Sequence, residues 1–154
     1  MAVMGRSGTT DLERTFGDGE IIFREGDESR EMFIIREGEV VISMQSGSQE
    51  IVLARRGRGE FIGEMALLES LPRIGTARAV GRVRLVVLHS GSFLQKLRRD
   101  PAFAFEMMQS LSRRFRILNN QVMQVLNALD ESDPVRHRLA ALMETGSPSE
   151  VEEK

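Results

Sequence analysis

Glu64 and Arg73 are an acid and a base nine residues apart in the stretch Gly63-Glu64-Met65-Ala66-Leu67-Leu68-Glu69-Ser70-Leu71-Pro72-Arg73-Ile74-Gly75-Thr76. Gly63 stands where the strand-like run Phe61-Ile62 must turn, and the apolar helix formers after Glu64 predict a short helix. The first N–H groups of such a helix lack intrahelical partners and attract anions. Met65 and Ala66 would contribute backbone N–H groups, and the small Ala66 side chain permits close approach. Arg73 can add a planar, permanently charged fork that grips two phosphate oxygens. Glu64, acceptor-only when ionised, can take a hydrogen bond from a sugar hydroxyl. Together these residues describe a cradle for a sugar-phosphate. Each has a plainer reading: Arg73 as a surface arginine, Glu64 as a complement to the helix terminus worth ~0.3–1 kcal/mol, and Thr76 as a β-branched strand residue.

The elements that must hold this cradle are short strands. From Phe16 to Leu88 apolar runs recur at Ile21–Phe23, Met32–Ile35, Val40–Met44, Ile51–Ala54, Phe61–Ile62, Thr76–Val80 and Leu85–Leu88. Turn signals separate them at Gly17-Asp18-Gly19, Gly26-Asp27, Glu37-Gly38, Ser46-Gly47-Ser48, Gly57-Arg58-Gly59 and Gly81. That spacing predicts an all-β sandwich or barrel. After it the period becomes helical. Ser90 caps a short helix through Phe93, Leu94 and Leu97, and Pro101 occupies the first turn of a longer one. There Met108, Leu111, Phe115, Leu118, Val122, Val125 and Leu129 fall at alternating spacings of 3 and 4. Such a seam pairs with another helix, and a second copy of the chain supplies it, giving a parallel homodimer through residues 108–129. Asp130-Glu131-Ser132-Asp133-Pro134 breaks the helix and caps a short amphipathic one carrying Val135, Leu139, Leu142 and Met143. The organisation expected is a disordered N-terminus (1–10), a β-barrel (11–100), a long dimerisation and lid helix (101–130), a short helix (131–144) and a disordered acidic tail (145–154).

The cassette is similar to that of the cyclic nucleotide-binding domain family: Ile62-Gly63-Glu64-Met65-Ala66-Leu67, a spacer, then Pro72-Arg73-Ile74-Gly75-Thr76. A second family motif resembles Ile21-Ile22-Phe23-Arg24-Glu25-Gly26-Asp27 followed by Met32-Phe33-Ile34-Ile35-Arg36-Glu37-Gly38. The resemblance extends over residues 12 to 140. It implies a mainly β fold, a jelly-roll barrel followed by helices, in the manner of the sensor domain of catabolite-activator-type regulators. It also implies purine contacts from Ile42 and Leu53 in the barrel and from Leu118 and Asn119 on the lid helix. Plain core packing accounts equally for Ile42 and Leu53, and dimer packing for Leu118. Asn119 discriminates better, because an amide beside an apolar seam can read a purine edge. Ile74 and Gly75 depart from the family pattern. A hydroxyl after the arginine is associated with guanine or phosphate contact, so Ile74 favours cAMP over cGMP. In the regulator branch the terminal short helix leads into a helix-turn-helix; here the chain stops, as a stand-alone sensor or an excerpt.

Composition narrows the classes. The chain has 154 residues, enough for one domain with an appended element, and 41% hydrophobic and 29% charged residues suit a globular fold. A net charge of −2 supplies no bulk basic field for nucleic acid. No apolar run nears the ~20 residues needed to span a bilayer, and no secretory signal opens the chain; a cytoplasmic protein follows by elimination. Cysteine is absent, excluding disulfides and thiolate metal sites. His89 and His137, the two histidines, lie too far apart in sequence for a clustered metal centre, and no catalytic set emerges. Arg55-Arg56-Arg58 reads as a solvated hairpin tip and Arg113-Arg114-Arg116 as a polar helix face. The expectation is a non-enzymatic sensor for a cyclic nucleotide, most simply cAMP, that passes occupancy to a dimer helix. The alternatives are the sensor portion of a transcription regulator and a degenerate, ligand-free dimerisation module.

Overall fold

A computed structural model describes residues 12–144 and the backbone of residues 3–6. The elements in order are β1 (Val3–Arg6), β2 (Leu12–Phe16), β3 (Ile21–Phe23), β4 (Met32–Ser46), β5 (Gln49–Arg56), β6 (Phe61–Ile62), α1 (Glu64–Glu69), β7 (Thr76–Leu88), α2 (Ser90–Arg99), α3 (Pro101–Ala128) and α4 (Pro134–Glu144). The strands form one antiparallel sheet in the order β1-β2-β7-β4-β5, with β3 added on β7 and β6 on β4. The chain divides into two units, residues 1–103 and 104–154.

In the first unit β4 and β7 are the axis. Phe33 and Ile35 from β4, with Ala77, Ala79, Val83, Leu85 and Val87 from β7, alternate inward with the period of a strand and meet Phe16, Phe23 and Ile62. Each large side chain so buried stabilises the fold by ~1.5–3 kcal/mol. The runs read as separate strands at Met32–Ile35 and Val40–Met44 are one strand, and so are Thr76–Val80 and Leu85–Leu88. Gly38 and Gly81, expected as turns, are kinks inside those strands, with φ of +87° and +65°. Across the kink the register jumps from Glu37↔Arg84 to Glu39↔Val80, so extra β7 residues bulge out opposite Gly38. A Cβ on Gly38 would lie 2.3 Å from the Arg82 carbonyl oxygen. Glycine keeps the ladder continuous there rather than ending it.

Two further differences concern the N-terminal region. Leu12–Phe16, which the sequence reading leaves without a strand, pairs with Val83–Val87 of β7. Within the stretch expected to be disordered, Val3–Arg6 pairs with Leu12–Thr15. Ladder hydrogen bonds to a neighbouring strand, rather than local apolar periodicity, define both segments. The remainder of residues 1–10 and the expected acidic tail, 145–154, lie outside the described residues.

The helix α2 begins as expected at Ser90, but its cap is His89. The Ser92 hydroxyl accepts the His89 N–H at 2.8 Å and donates to the His89 carbonyl at 3.0 Å. Lys96, Arg98 and Arg99 occupy its last turn, where cations complement the free carbonyls. The Asp100 carboxylate accepts the Phe103 N–H at 3.1 Å, capping α3 just before Pro101.

In the second unit α3 ends at Ala128. The Asp133 carboxylate accepts the Val135 N–H at 2.8 Å to open α4. From α4, Arg136 donates to the Leu126 carbonyl at 2.6 Å and to that of Leu129 at 3.3 Å, closing the C-terminus of α3 with a cation. Of the seam, Met108, Phe115, Leu118 and Val125 are exposed, Phe115 at 66%, while Leu111, Val122 and Leu129 are half-buried.

Candidate ligand site

The cassette is a turn, a short helix and a return. Gly63 takes φ +76° and leads directly into α1. Glu64 opens the helix 7% exposed, and Ala66 beneath it is buried. Arg73 returns from the far side of α1 and is only 3% exposed. Its guanidinium lies over the Phe23 ring, 4.2 Å from the centroid. Its Nε donates to the Ser29 hydroxyl at 3.1 Å, Nη1 to the Gly63 carbonyl at 2.9 Å and Nη2 to the Glu31 carbonyl at 2.6 Å. Its main chain is tied as firmly: the Gly26 N–H donates to the Arg73 carbonyl at 2.8 Å, and the Arg73 N–H to the Asp27 carbonyl at 2.9 Å. A Cβ on Gly63 would sit 2.5 Å from Arg73 Nη1. Only glycine lets the turn and the guanidinium share this space.

Burial pushes the Arg73 guanidinium below its ordinary value, while the carboxylates of Glu31, Asp27 and Glu64 pull it back up. The hydrogen bonds named above go to neutral oxygens, and the guanidinium face lies over an aromatic ring. Glu31 is itself clamped. Arg14 on β2 donates Nη1 to Glu31 Oε2 and Nη2 to Glu31 Oε1, both at 3.0 Å, and His89 Nδ1 lies 3.6 Å from Oε1.

Gly63, Glu64, Met65, Ala66 and Arg73 are thus brought together around α1, with the Met65 side chain outward and exposed. Ile42, Leu53 and Thr76 occupy three adjacent strands. Ile42 pairs with Ala54 and Ala77, Ser43 with Val52 and Thr76, and Leu53 falls in the register break between them. Ile42 packs partly buried on the core, whereas Leu53 and Ile74 are 48% and 47% exposed. The Thr76 hydroxyl accepts the Glu25 N–H at 3.0 Å, so it already pins the β3–β4 loop. Gly75 has a packing reason, since a Cβ there would lie 2.7 Å from the Ser43 carbonyl oxygen. Leu118 is exposed and Asn119 half-buried on α3, in the second unit. Among the described residues no group of three or more His, Cys, Asp or Glu is placed to hold a metal ion, and no helix is long and apolar enough to cross a membrane.

Ser29, Glu31 and Arg14 escaped the sequence reading. Arg73 meets Ser29 across 44 positions of chain, and no local pattern marks a serine that far away as its acceptor.

Residues 13–100 match the family described as the cyclic nucleotide-binding domain. The cyclic AMP receptor protein of Thermus thermophilus is 31% identical over 134 residues, which is 86% of this chain and 62% of that protein. The crystal structure of Thermus thermophilus catabolite activator protein superposes with a TM-score of 0.67 at 31% identity, covering 75% of this chain and 55% of that one. The EAL enzyme Bd1971 superposes in a cAMP-bound form (TM-score 0.53, 29% identity) and a cGMP-bound form (0.54, 28%), each over 75% of this chain and 31% and 32% of theirs. The chain therefore spans less than two-thirds of each of these relatives. The mainly antiparallel barrel with C-terminal helices is the jelly-roll arrangement of these structures.

Proposed function

The chain belongs to the cyclic nucleotide-binding domain family, and on that premise we propose that it is a non-catalytic cAMP sensor. The observation that carries the reading is the buried Arg73 guanidinium beside Gly63 and the opening N–H groups of α1. A cyclic phosphate would take its hydrogen bonds from Arg73 and from the Met65 and Ala66 amides, and its ribose hydroxyl would donate to Glu64. Ile42, Leu53 and Ile74 would face the purine. Ile74 carries no hydroxyl for a guanine, and the similarity to a protein named as a cyclic AMP receptor supports cAMP. Calorimetric titration with cAMP and cGMP tests the reading: cAMP binds and cGMP binds more weakly, whereas silence for both nucleotides at millimolar concentration refutes it.

Occupancy would be passed to a homodimer helix. The exposed Met108, Phe115, Leu118 and Val125 lie along one seam of α3, and a second copy would cover them. A ligand shifts such a domain only by its differential affinity for two states; a tenfold shift takes ~1.4 kcal/mol, within reach of one charge-assisted arginine contact at ~1.5–3. Sedimentation equilibrium should show a dimer that Phe115→Glu converts to a monomer. A wild-type chain that is monomeric with cAMP bound would remove the output half of the proposal.

A further inference from the structure

An arginine that receives a phosphate has five N–H donors to distribute, and in this protein three are already committed. The commitments are unequal in kind. Gly63 and Glu31 use main-chain carbonyls, which any side chain at those positions would present. Ser29 uses a hydroxyl, which depends on residue type. Ser29 lies in the exposed β3–β4 loop, and the same loop fixes the Arg73 main chain through Gly26 and Asp27. It is anchored at its other end by the Arg14–Glu31 pair.

Taking Nε has a directional consequence. A guanidinium grips a phosphate bidentately either side-on, through Nε–H and one terminal N–H, or end-on, through its two terminal nitrogens. With Nε given to Ser29, the side-on grip is closed. Each terminal nitrogen gives one N–H to a carbonyl and retains one. We propose that Ser29 is a positioning residue of the ligand site, which holds the Arg73 guanidinium so that phosphate is met by its terminal nitrogens alone. This rests on the cyclic nucleotide reading and goes beyond it, because it assigns a residue outside the cassette and a consequence for ligand stereochemistry. The two exocyclic oxygens of a cyclic phosphate are inequivalent, and a guanidinium locked in one orientation distinguishes them. Loosened at Nε, it can rotate and serve either.

The test uses cAMP and the Rp and Sp phosphorothioate diastereomers, titrated against the wild-type chain, Ser29→Ala, Ser29→Thr, Arg73→Lys and the Ser29→Ala/Arg73→Lys double variant. Ser29→Ala should weaken cAMP about three- to tenfold, less than the loss of a direct charge-assisted contact to the ligand, because Ser29 acts only through Arg73. It should also narrow the affinity ratio between the diastereomers, on top of a small drop in ligand-free melting temperature as the buried Nε loses its acceptor. Ser29→Thr, which keeps the hydroxyl, should restore both. In the Arg73→Lys background, where no Nε exists, Ser29→Ala should change nothing. In the ligand-free protein the Arg73 Nε proton should exchange slowly by nuclear magnetic resonance and lose that protection in Ser29→Ala. Binding and diastereomer ratio identical to wild type in Ser29→Ala, or an effect of that substitution persisting in Arg73→Lys, overturns this proposal alone. A wild-type chain that binds none of the three nucleotides overturns the ligand reading and this proposal together.

Discussion

Arg73 and Leu53 are assigned to one ligand and sit in one unit, yet Arg73 is 3% exposed and Leu53 48%. The difference follows the chemistry each would perform. A long charged side chain loses ~1.5–2 kcal/mol of rotamer freedom when it is fixed. Here that loss is met before any ligand arrives, by Phe23, Ser29 and two carbonyls. Contact with a purine face is apolar and almost without direction, so Leu53 and Ile74 need no partner to orient them and remain open. Under the proposed assignment, the group that would meet the phosphate is already fixed, whereas Leu53 and Ile74 are exposed. Affinity should therefore reside mainly in the first region and selectivity in the second.

Arg73→Ala gives the larger effect. It should weaken cAMP at least tenfold and up to about a hundredfold in calorimetry, the range for a charge-assisted contact. It should also lower the melting temperature, because the carbonyls of Gly63 and Glu31 lose their donors. A loss below threefold would mean that the two regions do not divide the work in this way. Ile74→Thr sharpens the comparison with a smaller effect. The added hydroxyl should move the cAMP-to-cGMP affinity ratio toward cGMP by about two- to fivefold, with the melting temperature unchanged, as for exposed positions generally. If selectivity stays fixed while total affinity collapses, Ile74 belongs with the phosphate side instead.

The same contrast explains what could be read early. The cassette was legible because its parts lie close together in sequence: a glycine at a turn, an acid at a helix start, an arginine after a proline. The openings of α3 and α4 were legible for the same reason, since Pro101 and Asp133-Pro134 are local start signals, although the Asp100 cap of α3 emerged only in the structure. The strand pattern was legible in its parts and misjudged in its joins. Gly38 and Gly81 carry the same signal as a true turn, and only the opposite strand turns each into a bulge.

Residue types and short spacings alone determined the mainly β class and the C-terminal helices, because capping, turn chemistry and periodicity act within a few residues. Tertiary structure alone decided that β4 and β7 run unbroken, that Leu12–Phe16 is a strand, and that Ser29 and an Arg14-clamped Glu31 hold the guanidinium. Those outcomes depend on hydrogen bonds between groups dozens of positions apart, and such partners are chosen only when packing brings them within three ångströms.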